Sequence, residues 1–167
     1  MNKDTVPENY TMGLALYDFV PVLFFGVACY LLWKMTGNVL VFFGGLVSFI
    51  SGTLKVVWKI IVVAKKKNIW PLFVQMRIGL PAGLMLVLIG FVVSCFTKNM
   101  HSYWSGALQP APILFFILYL AGTAAMVICG RKLDPAEAKA NWIEQSCNTV
   151  AQGAFLINIL LIYSKIS

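Results

Sequence analysis

Four ionisable side chains stand out within the apolar runs of this chain: Asp18, Lys55, Arg77 and Glu144. A charge at the centre of a bilayer costs about 2.5–3.5 kcal/mol on insertion scales and more on others. Such residues therefore mark a pairing network or a site. Two are cations and two are carboxylates, so they can neutralise one another. They can also act on something else. Lys55 and Arg77 suit an anionic group, and a desolvated carboxylate suits charge balance or proton transfer.

A second polar set lies close in sequence to Glu144. Glu144, Asn148 and Gln152 recur at steps of four, with Gln145 beside them and Asn158 at the edge of the same side. Steps of four put residues on one face of a helix. A helix surrounded by lipid would not carry five such groups, so this face must look into the interior, a cavity or a partner.

The elements that position these residues follow from composition. The 167 residues are 60% hydrophobic and 11% charged, and the mean hydropathy is +0.83. Soluble domains carry about 45–50% apolar and about 25% charged residues. A soluble domain, a disordered chain and a disulfide-rich module are all excluded. The expectation is an all-α membrane protein, a bundle of five transmembrane helices forming one domain over residues 1–167. The spans fall at about 13–33, 39–63, 70–96, 112–130 and 142–163, each near the roughly 20 residues that a 30 Å hydrocarbon core requires. The first run follows a tail holding Asp4 and Glu8 as well as Lys3, so it reads as a retained helix rather than a signal peptide.

The net charge of +7 is concentrated in short loops. Lys65, Lys66 and Lys67 form one cluster, and Arg131, Lys132 and Lys139 form another. The positive-inside rule then puts the N-terminus and both loops in the cytoplasm and the C-terminus outside. Lys34, Lys98 and Lys165 fall on the opposite side. Trp33, Trp70 and Trp142 sit at span ends, the headgroup zone that amphipathic rings prefer. With this orientation Asp18, Lys55, Arg77 and Glu144 all lie within about 3–12 Å of the cytoplasmic boundary, at 1.5 Å per residue.

Small residues indicate how the spans meet. Gly44, Ser48, Gly52, Lys55 and Lys59 form one stripe on the second span, with Lys59 near enough to the boundary to snorkel. Gln75, Gly79, Gly83 and Gly90 form a stripe on the third. Arg77 lies about 200° from Gln75 around that helix, so the two cannot share a seam. Either Arg77 faces a pocket and the glycines another helix, or Arg77 reaches for headgroups. Pro21 and Pro81 each remove a hydrogen bond to the carbonyl four residues earlier, on Tyr17 and Arg77. The linker at 97–111 lies along the outer surface, and Pro112 can open the fourth span.

Other chemistries lack their residues. The basic residues do not form the footprint of nucleic-acid binding, so no nucleic-acid partner is expected. Cys29, Cys95, Cys129 and Cys147 form no CxxC pair and read as small core residues. His101 is the single histidine, so neither a metal nor a cofactor is expected.

The leading expectation is transport or binding of a small anionic or amphipathic ligand. Its site comprises Asp18, Lys55, Arg77, Glu144, Gln145, Asn148 and Gln152, in the cytoplasmic half of a protein of the plasma (inner) membrane surrounded by lipid. One alternative is a membrane-embedded enzyme acting on a lipid headgroup or isoprenoid phosphate, although HExxH, GxSxG and aspartate-rich motifs are all missing. Another is a non-catalytic subunit, in a homo-oligomer or beside a partner membrane subunit.

Overall fold

The computed structural model describes residues 6, 9–98, 100–133 and 137–166. Lys3, Asp4 and Glu8 of the N-terminal tail lie outside the described residues, as do residues 134–136 of the second basic loop. The described residues form seven helices, of which two join into one span, giving five segments long and apolar enough to cross a membrane.

The first span is broken where its proline directs. α1 (Met12–Tyr17) begins at Thr11, whose hydroxyl accepts a hydrogen bond from the Leu14 amide at 3.2 Å. It stops at Asp18, and α2 (Phe19–Thr36) continues beyond it. Pro21 cannot donate to the carbonyl of Tyr17, so the break falls beside the ionisable residue. α2 ends at Gly37, whose φ of +55° suits glycine. α3 (Val39–Lys65) starts at Asn38, whose side-chain oxygen accepts from the Leu40 amide at 2.9 Å. The amide nitrogen of Asn38 donates to Gly90 O at 2.9 Å and Ser94 Oγ at 3.0 Å, anchoring the start of α3 to α4 (Trp70–Thr97). α4 keeps Pro81 within one continuous helix.

A short helix, α5 (His101–Ala107), lies within the 97–111 linker, where no helix was expected. Tyr103 and Trp104 supply the reason: both rings pack edge-on against Phe91 of α4. α6 (Pro110–Lys132) opens at Pro110 rather than at Pro112, and α7 (Ala138–Ile166) completes the chain.

The spans pack in the order α4, α3, α2, α7, α6. Small residues permit the close approaches. A methyl group added at Gly44 would lie 2.6 Å from both Gly83 O and Val87 N of α4. The α3 stripe therefore serves two neighbours rather than one. Gly44 and Ser48 meet α4, while Gly52 meets Val22 of α2. α3 lies between α2 and α4, so a stripe along it passes from one neighbour to the other.

Candidate functional site

All seven residues singled out from the sequence line one cavity of about 400 Å³. Each span contributes. Asp18, Pro21, Val22 and Phe25 come from the first span, and Ser48, Gly52 and Lys55 from α3. α4 adds Met76, Arg77, Leu80, Pro81 and Leu84, and α6 adds Tyr119, Thr123 and Met126. Glu144, Gln145, Asn148 and Gln152 come from α7. Its size is within the range of small-ligand pockets, about 300–1,000 Å³.

Asp18 anchors the charged end. Its Oδ2 lies 2.7 Å from the Lys59 ammonium and 3.5 Å from that of Lys55. These are the only ion pairs among the described residues. Lys59 corrects the expectation of a snorkelling side chain, because it is only 1% exposed. Its route outward is closed by the segment before α2 and by α7. The Tyr10 ring centroid lies 5.4 Å from the ammonium, and Asn141 accepts a hydrogen bond from it at 2.9 Å. Tyr10, Leu14, Trp58, Val62 and Phe73 form an apolar cluster over this end of the bundle. Lys59 was not among the site residues expected from sequence. Its spacing of four from Lys55 was a signal for a shared partner, and snorkelling was the competing account.

Lys55 faces the cavity on the other side of the same carboxylate. The position of Arg77 is also resolved. Gln75 donates to Ser51 O of α3 at 3.2 Å, and Gly79, Gly83 and Gly90 approach α3 as well. Arg77, on the other side of α4, lines the cavity, its guanidinium 4.7 Å from the centroid of Phe73. Neither Arg77 nor Glu144 has an opposite charge within ion-pair range among the described residues.

The amide groups on α7 divide between two tasks. Gln152 donates to Asn148 Oδ1 at 3.4 Å, a weak contact along the cavity wall. Gln145 is 1% exposed, and its Oε1 has no hydrogen-bond partner among the described residues; nor have Gln152 Oε1 and Ser48 Oγ. Buried polar atoms are almost always satisfied, so orphaned acceptors gathered round a cavity point to a guest or to water. Asn158 does not belong to the site. Its side chain donates to Pro112 O at 2.6 Å and joins α7 to α6.

The deep end of the cavity is apolar. Phe25 stacks on Phe155 and Tyr119 packs against the same ring at a tilt, with centroid separations of 6.0 and 5.0 Å. The lining thus runs from charges, through amides, to rings. Among the described residues no three His, Cys, Asp or Glu side chains gather into a group able to hold a metal ion.

The class of protein is defined at this level: an integral membrane protein, built as a helical bundle of five apolar spans around a cavity with one charged end. In comparisons with known proteins, no family model, no curated protein and no solved structure matches the chain, so its own residues carry the functional reading.

Proposed function

We propose that this protein binds and transports a small anionic or amphipathic ligand through the cavity lined by its five spans. One observation carries the reading. All five spans bring side chains to a single cavity in which Arg77 and Glu144 have no ion-pair partner among the described residues. A network serving only to fix helix register would pair these charges with each other.

The roles follow from chemistry. Lys55 and Arg77 hold the anionic group. Glu144, Gln145, Asn148 and Gln152 hydrogen-bond the remainder. Asp18 holds Lys55 in place and balances its charge. In this reading the basic clusters at Lys65–Lys67 and Arg131–Lys132 face the cytoplasm, which the positive-inside rule supports, and the membrane is the plasma (inner) membrane, so the ligand meets the protein from that side or from that leaflet. In this reading the ring contacts of Phe25 and Tyr119 with Phe155 close the apolar end of the cavity, and their rearrangement is the step that transport requires.

Native mass spectrometry of the protein in mild detergent tests the reading, with Lys55→Met and Glu144→Gln compared directly. The expected result is a small-molecule adduct on the wild type that both variants lose while remaining folded. A bare wild type, as stable as both variants, would refute a retained ligand at this cavity.

A further inference from the structure

The helices at the two ends of the packing order, α4 and α6, form no packed interface with each other. Both nevertheless line the same cavity, α4 through Arg77, Leu80 and Leu84, α6 through Tyr119 and Met126. Five helices packed in a row whose end members face one cavity describe an arc. The gap between its ends opens sideways. The helices flanking that gap are apolar on their outer surfaces: Ile78 and Met85 of α4, and Ile117 and Val127 of α6, are all exposed. In a bilayer, surfaces of this kind face acyl chains. The mouth of the cavity therefore gives onto lipid.

The lining is graded along the bilayer normal. Lys55, Arg77 and Glu144 lie towards the lysine-rich loops. Leu84, Phe25 and Tyr119 lie deeper. Arg77 and Leu84 are seven residues apart on one helix, about 10 Å at 1.5 Å per residue. That gradient matches a lipid molecule in the same leaflet, with its charge at the boundary and its chain pointing inward. The charge balance has the same sense. Lys55, Lys59 and Arg77 stand against Asp18 and Glu144, which leaves one positive charge in excess. Gln145 Oε1, buried and without a hydrogen-bond partner among the described residues, adds an acceptor for a hydroxyl or protonated group on the guest.

We infer that the ligand is a membrane amphiphile with an anionic headgroup, entering sideways between α4 and α6. The headgroup lies between Lys55 and Arg77, and the first part of one chain runs along Leu80, Leu84 and Met126. This inference rests on the reading of the cavity as a ligand site. A soluble anion would use the same cations but neither the apolar depth nor the lateral mouth.

The test uses the full chain, delipidated in mild detergent, with three probes: dioctanoyl phosphatidate, dioctanoylglycerol and glycerol 3-phosphate. Native mass spectrometry reads the occupancy. Phosphatidate should bind about tenfold or more tightly than either other probe, and Lys55→Met should weaken it by about tenfold or more. Leu80→Trp and Met126→Trp, which narrow the mouth from either side, should slow its uptake, whereas Ile117→Trp outside the cavity should not. Whichever of the two mouth variants keeps a cooperative unfolding transition decides the point. Equal binding of glycerol 3-phosphate and phosphatidate would overturn lateral entry and leave the anion site standing. Equal binding of dioctanoylglycerol would overturn the anionic headgroup. Phosphatidate uptake by a folded mouth variant at the wild-type rate would overturn the α4–α6 route. Binding of no probe, or binding indifferent to Lys55→Met, would overturn this inference and the ligand site together.

Discussion

Asp18 Oδ2 lies 2.7 Å from the ammonium of Lys59, and the two side chains are 0% and 1% exposed. Lys55 approaches the same oxygen from the cavity side at 3.5 Å and is 15% exposed. A single carboxylate thus joins a cation enclosed by the fold to a cation presented to the cavity. The break between α1 and α2 puts Asp18 at this position, and Pro21 accounts for the break.

Asp18→Asn should be strongly destabilising, since it leaves the enclosed Lys59 with no ion-pair partner among the described residues. Removing one partner of a buried pair costs about 3–5 kcal/mol. The double variant Asp18→Asn/Lys59→Met should be more stable than Asp18→Asn alone. Chemical or thermal unfolding in detergent gives the cycle, and additive losses would show that the pair is not coupled.

Gly44→Ala should weaken the α3–α4 interface, because the added methyl meets backbone atoms that cannot swing away. Overpacking of this kind costs about 1–3 kcal/mol. Gly130→Ala is the matched control: nothing lies within 4 Å of its added carbon, and its stability should remain within about 0.5 kcal/mol of wild type. Equal unfolding temperatures for the two variants would contradict the close packing at Gly44.

Asn158→Leu removes the hydrogen bond to Pro112 O, a polar tie between the last third of α7 and the start of α6. Interhelical hydrogen bonds within membranes contribute about 0.6–2 kcal/mol. α6 packs chiefly on α7, so limited proteolysis of the loop between them should accelerate along with the fall in stability. Unchanged proteolysis would place the hold on α6 elsewhere.

Tyr103, on α5, carries a phenol pushed up from 10.0 to about 12, by burial first and by Cys95 second. In the unfolded chain the phenol ionises near 10.0, while in the folded protein it stays protonated to about 12. The unfolded state then binds fewer protons across that window, so stability falls as pH rises through it and is unaffected below it. Tyr103→Phe should remove this part of the alkaline loss. The check is stability measured against pH for both proteins, and parallel curves would refute it.

The spans were legible because length and apolarity are local properties. The five segments differ from their expected bounds by four residues at most. The charges and the amide face of α7 were legible for a related reason: polar side chains are conspicuous where lipid surrounds them. α5 was not, since a seven-residue helix has little intrinsic stability and forms where Phe91 receives its rings. Lys59 was assigned the wrong environment because snorkelling depends on what covers the helix end, and Tyr10 and Asn141 come from distant parts of the chain.

Length, hydropathy and the steps of four along α3 and α7 determined that the chain is a five-span helical bundle with its charges concentrated towards one end. Tertiary structure alone decided which helices are neighbours, that Arg77 faces the cavity while the α4 glycines face α3, and that the packing order leaves α4 and α6 unjoined. The physical reason lies in the solvent. In water, the hydrophobic effect marks the inner face of each helix in its sequence. In lipid, outer and inner faces are both apolar, so rotation and neighbour order are set by shape, by close backbone approach and by a few ion pairs and hydrogen bonds between distant residues.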